Sequence, residues 1–207
     1  MQTYDDGNKR TPKLPDMFFQ ANVAMAFGCS DFSNYVYLPF VNKNGADFPN
    51  QENHAMRWDG TKTDLWYGLQ AMNEEILYYG QTLSNFKFQD STYYRTEMTA
   101  PTGWNYTMGM TQGEMTKLSD CSFVMLKDMG GMILVTEMYD EANDQWGYFV
   151  VNATDPGVSS EAEVTLTFND YKNVQIVQSL TTTNLALKEN KVVIQLGSGR
   201  SAFVMPY

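Results

Sequence analysis

The chain has 207 residues, of which 43% are hydrophobic, 14% aromatic and only 18% charged, with a formal net charge of −10. That composition supports one or two domains with a real core rather than disorder. It also excludes nucleic acid and anionic membranes as partners, since both need a Lys/Arg-rich face; neutral ligands such as sugars stay open.

Residues 1–13 are polar and read as a loop, with no apolar signal core. No stretch reaches membrane-spanning length, so the chain reads as soluble, in a compartment the sequence leaves open. Pro15 and Asp16 then open a helix. Met17, Ala21, Ala24, Met25 and Gly28 share one face of it, and its small residues allow close approach to a sheet. Gly28-Cys29-Ser30-Asp31 is its turn, where Asp31 reads as a capping or turn residue. Tyr35-Val36-Tyr37 reads as a short strand ended by Pro39. Residues 41–60 form a long polar loop of the kind that often carries function.

A second helix follows. Thr61 and Asp64 resemble a capping box, Leu65, Leu69, Met72 and Ile76 form the buried stripe, and Gly80 supplies the stop. Within it, Glu74-Glu75 reads as a solvated face.

From about residue 84 the period changes to two. The expected strands are Phe86–Phe88, Asn105–Met110, Glu114–Leu118, Cys121–Lys127, Met132–Tyr139, Gly147–Asn152, Glu163–Phe168, Val174–Gln178, Lys191–Leu196 and Ala202–Met205. Val164, Leu166 and Phe168, like Val192, Ile194 and Leu196, alternate with residues that face water. Gly130-Gly131 and Glu189-Asn190 read as tight hairpin turns, and Gly197-Ser198-Gly199 as a turn between two strands. The expected class is α+β, with N-terminal partial βα-barrel elements (two helices and a short strand) over 1–84 and an antiparallel β-sandwich over 85–207.

Metal chemistry finds little support. One histidine and two cysteines cannot make the usual zinc cage, and no cofactor motif is present. Cys29 and Cys121 read as buried free thiols, because the spacing of a disulfide framework is missing. Asn105-Tyr106-Thr107 and Asn152-Ala153-Thr154 match the glycosylation sequon and read as chance.

Two stretches, "FFQANVAMAFGCSDFSNYVYLPF" and "RWDGTKTDLWYGLQAMNEEILYYGQTL", resemble the last part of a TIM-barrel glycoside hydrolase of the β-galactosidase-like kind. "MILVTEMYDEANDQWGYFVVNATDP", "EVTLTFNDY" and "GSGRSAFVMPY" are similar to the small all-β domain that follows such barrels. The resemblance implies that the chain is the C-terminal portion of a carbohydrate-active enzyme and inactive alone. A complete barrel takes ~250 residues, and the two catalytic carboxylates, at the ends of the fourth and seventh strands, would precede residue 1. No catalytic residue is therefore assigned here.

The resemblance also implies that loops after the last strand border the sugar site. Tyr35, Tyr37, Phe40 and Trp58 would then form a stacking wall and His54 would bond a hydroxyl. Leu38-Pro39-Phe40 departs from the family, which often has tryptophan there. Aromatic packing in a small core, and a solvated histidine, are the plainer readings. Glu52 and Asp59 share the loop as minor candidates. A non-catalytic carbohydrate-binding or protein-interaction sandwich, using Trp104, Tyr106 and Trp146, is the alternative function. Barrel elements without their upstream neighbours would leave apolar faces, so self-association, or packing of the N-terminal region on the sandwich, is expected.

Overall fold

The computed structural model describes residues 12–34, 37–38, 54–95, 115–126 and 130–207. Within them the chain forms α1 (Leu14–Ala26), α2 (Asp64–Leu83) and nine strands. These are β1 (Lys87–Arg95), β2 (Asp120–Met125), β3 (Met132–Asp140), β4 (Gln145–Asn152), β5 (Glu161–Thr167), β6 (Asn173–Gln178), β7 (Thr181–Ala186), β8 (Lys191–Gly197) and β9 (Ser201–Pro206). Six strands pair in the order β1-β3-β4-β9-β6-β7 and three in the order β2-β5-β8. All pairs are antiparallel. The fold is α+β with β-sandwich character.

Two apolar layers follow from the strand alternation. Ile133, Val135, Val150, Val164, Leu166, Ile194 and Val204 meet between the sheets. On the other face of the six-stranded sheet, Leu134, Met138, Phe149, Val151 and Phe203 meet Met25, Ala26 and Tyr79 of the helices. Met17, Ala21, Leu65, Leu69 and Met72 join the helices to each other. The N-terminal helices are thus packed on the sandwich. Each large apolar side chain sealed this way is worth about 1.5–3 kcal/mol relative to exposure.

Local chemistry explains the helix ends. The Asp16 carboxylate accepts the Lys13 N–H at 2.9 Å, and Gly28 closes α1 at φ +80°. The second helix begins differently from expectation. Thr63, not Thr61, is the residue before it, and the Thr63 hydroxyl donates backward to the His54 and Ala55 carbonyls. Gly80 lies inside α2, which continues to Leu83.

Several strand expectations need correction. Tyr35 and Val36 lie outside the described residues, and Tyr37 sits in a bend rather than a strand. The segment Phe86–Phe88 grows into the nine-residue β1, while Met115–Leu118 is irregular and Asn105–Met110 lies outside the described residues. Strand β7 has no counterpart among the expected strands. Gly130-Gly131 does not close a hairpin, because the strands on either side of it belong to different sheets; Gly197-Ser198-Gly199 is the expected turn between two strands, β8 and β9. Glu189 and Asn190 do form a tight turn, with φ 52° and 62°, closed by a Lys188–Lys191 bridge.

Candidate functional site

The residues named from sequence fall on the segment that enters α2. Met56 and Lys62 face each other across a short antiparallel bridge. Arg57 N–H donates to the Thr61 carbonyl at 2.9 Å, and Gly60 turns the chain at φ +81°. The Asp59 carboxylate accepts both the Thr61 N–H (2.9 Å) and its hydroxyl (2.6 Å). These bonds, the side-chain one foremost, hold the Asp59 pKa below its ordinary value. Asp59 is therefore a turn residue. Trp58 projects from this braced turn and is 43% exposed.

Tyr37 is joined to the same turn, since its carbonyl accepts the Met56 N–H at 3.2 Å, and its side chain is exposed. On the first turns of α2, the Lys62 ammonium lies 3.3 Å from the Trp66 ring centroid, a cation–π contact. Tyr67 beside it is exposed. His54 departs from both sequence readings. It is 1% exposed, so it neither faces solvent nor reaches a ligand at the surface. Tyr35, Phe40, Glu52, Trp104 and Tyr106 lie outside the described residues. Trp146 is half-buried against the inter-sheet core, its ring 4.5 Å from that of Tyr139.

Glu75 is the clearest correction. The Glu74-Glu75 pair does not form a solvated face, because Glu75 is 3% exposed and its Oε2 lies 2.7 Å from the Arg200 guanidinium. Burial raises the Glu75 pKa, and the attraction of Arg200 opposes that rise without cancelling it. Arg200 also stacks 3.9 Å over the Phe18 ring and donates to the Ser179 hydroxyl at 3.1 Å.

Its neighbours are gripped too. The Asn22 amide donates to the Gly199 carbonyl at 2.8 Å, and the Tyr79 hydroxyl donates to the Ser201 carbonyl at 2.8 Å. Three consecutive residues, Gly199-Arg200-Ser201, are each held by helical side chains: Asn22, then Glu75 and Phe18, then Tyr79. A Cβ at Gly199 would stand 2.3 Å from the Pro15 carbonyl oxygen and 2.9 Å from the Phe19 nitrogen, and φ there is +70°. Only glycine fits.

A second buried carboxylate lies on the opposite face of the same sheet. Glu137, 4% exposed, points between the sheets with Ile133 and Val135. Burial pushes its pKa up to about 7; the Thr116 hydroxyl and N–H oppose the rise, and Asp90 adds to it. Among the described residues Oε1 has no hydrogen-bond partner, and it is sealed from solvent. The facing Tyr148 hydroxyl donates to the Thr116 carbonyl.

Neither Cys29 nor Cys121 is in a disulfide. Cys121 is buried as expected, but Cys29 is exposed. Asn152 of the second sequon is fully buried and donates to the Leu196 carbonyl at 3.2 Å, so it is no glycan acceptor in the folded chain. Among the described residues no group of three or more His, Cys, Asp and Glu could hold a metal ion, and no helix is long and apolar enough to cross a membrane. Comparison with protein-family models, with curated proteins and with solved structures finds no match.

Proposed function

We propose that this chain is the C-terminal portion of a carbohydrate-active glycoside hydrolase, with the catalytic carboxylates outside it, and that it is inactive alone. The observation that carries this reading is the braced turn ahead of α2, which holds Trp58 and Tyr37 exposed beside a helix pair fastened to a β-sandwich. A pyranose ring offers an apolar C–H face, and a fixed, exposed aromatic ring gives it a partner at low entropic cost.

Among the described residues, the two buried carboxylates, Glu75 and Glu137, lie apart from each other. Glycoside hydrolysis needs two of them about 5–9.5 Å apart across an accessible bond. Glu75 is committed to Arg200 on one face of the six-stranded sheet, and Glu137 lies on the other. Asp90 stands across the ladder from Glu137, but the free Glu137 oxygen is sealed from any substrate.

The test is a panel of aryl glycosides with the chain alone, beside retention on insoluble glycans. No hydrolysis, with weak retention that falls in Trp58→Ala, is the expected pair of results. Turnover by the wild-type chain, or no retention on any glycan, would overturn the reading.

A further inference from the structure

We propose that the cleft between the start of α1 and the β8–β9 turn binds one neutral pyranose unit, at a site separate from the turn that carries Trp58. The cleft holds about 300 Å³, with Leu14, Pro15 and Phe18 on one wall and Ser159, Ser160, Glu161, Ser198 and Arg200 on the other. Ligand sites run from about 300 to 1,000 Å³, so this one suits a single ring rather than a chain of them. Its walls are set before a ligand arrives. Gly199 is pressed against the α1 backbone, and the Arg200 guanidinium lies 3.9 Å over the Phe18 ring. Little is left to order on binding.

Unmatched polar groups converge on the cleft. The Thr154 N–H donates to Asn152 Oδ1, which fixes the amide so that its nitrogen faces Ser160. That nitrogen donates to the buried Ser160 hydroxyl at 3.4 Å, and Ser160 donates to Ser198, also at 3.4 Å. The relay runs one way, because an amide N–H only donates. The Ser198 oxygen therefore accepts from within the protein, and its own proton is left for the cleft. Arg200 uses Nη2 for both Glu75 and Ser179, and among the described residues its Nε and Nη1 hydrogens meet no acceptor. Glu161, the exposed first residue of β5, supplies a carboxylate acceptor at the rim. Two donors and an acceptor beside an apolar wall complement a sugar ring, which carries hydroxyls at its edge and C–H groups on its faces.

Charge selects a ligand without any. Glu161 at the rim and Asp16 in the first turn of α1 repel an anion. The Asp16 and Met17 N–H groups that could hold one already donate to the Lys13 carbonyl. Arg200 repels a cation, and its own charge is matched by Glu75. The ligand class thus follows from the cleft's own groups and does not rest on Trp58.

The experiment is titration of the isotope-labelled intact chain with the methyl glycosides of glucose, galactose, mannose and xylose, read from amide NMR shifts. Saturable shifts are expected at Ser159, Ser160, Ser198 and Arg200 with at least one glycoside, and none there with sodium acetate or methylammonium chloride. Ser159→Trp fills the cleft from an exposed position and is expected to abolish the shift at Arg200 without changing the melting temperature. Glu161→Ala removes the rim acceptor and is expected to weaken binding about tenfold. No saturable shift at the cleft, a response to acetate or methylammonium instead of the glycosides, or full affinity in either folded variant would overturn the proposal. Shifts confined to the turn between Met56 and Lys62 would overturn it and leave the Trp58 reading standing. Shifts at the cleft with none at Trp58 would support it and tell against that reading.

Discussion

Glu75 of α2 and Arg200 of the β8–β9 turn form an ion pair at 2.7 Å, 125 positions apart in the chain, with the carboxylate buried and the guanidinium partly exposed. A pair like this is costly to desolvate and more costly to break. Removing one partner leaves the other as an uncompensated buried charge, at about 3–5 kcal/mol. Arg200→Ala is therefore expected to destabilise the fold by about 3 kcal/mol in urea titration. Replacing both members with apolar residues of like volume should cost less than the single change. Equal losses for the single and double variants would show that the pair itself contributes little.

At Gly199 the β8–β9 turn packs directly against the backbone of α1. Gly199→Ala sets a methyl group against the Pro15 carbonyl and the Phe19 backbone, neither of which can move without shifting the helix. A loss of at least ~2 kcal/mol is expected, with a matching drop in the melting temperature. A melting curve identical to wild type would mean that α1 docks elsewhere.

The pH dependence follows from Glu137. Its folded pKa of about 7 stands above the ordinary 4.5, so the folded state holds a proton that the unfolded state releases. The associated stability is complete below about pH 4.5 and is lost as pH rises through 7. Across that window wild type should lose on the order of 2 kcal/mol more stability than Glu137→Gln. Parallel curves would place the carboxylate in water.

The two thiols should behave as different species. Cys29 is exposed and is expected to react with a thiol reagent at once in the native chain. Burial, with a further push from Asp120, raises Cys121 to about 12, so its thiolate is scarce and enclosed. One fast equivalent, and a second only in denaturant, is the expected titration.

Trp58 offers a separation of stability from binding. It lies at the surface of a turn held by Asp59, Thr61 and Arg57, so Trp58→Ala should change stability by less than about 0.5 kcal/mol. Glycan retention should nevertheless fall. A large loss of stability would instead make Trp58 a packing residue.

Much of this architecture is visible in the residue pattern. Val164, Leu166 and Phe168 and Val192, Ile194 and Leu196 face inward as their alternation dictates. Strand β7 escapes the pattern because period two is a signature of half-burial, and Thr181–Ala186 buries nothing. Glu75 is masked by its neighbour. Taken as Glu74-Glu75 it looks solvated, but its spacing from Met72 and Tyr79 puts it on the buried stripe of α2. Glu137 sits in phase with Ile133 and Val135, a polar residue on an apolar face. Arg200 gives no local sign, because its partners Phe18 and Glu75 come from distant parts of the chain. His54 looks like a surface residue only because its loop is polar.

The grip on Gly199-Arg200-Ser201 also sets an order of events. Asn22 must wait for a residue 177 positions later and Tyr79 for one 122 later, so both helices leave the ribosome long before the turn they dock on. Until β3 and β4 follow, Met25, Ala26 and Tyr79 have no sheet to cover, and until β9 follows they lack Phe203 and Met205. Long-range closure of this kind slows folding and leaves apolar surface open to wrong partners. The hazard during synthesis thus lies in these two helices, and it ends only when the Gly199–Ser201 turn arrives.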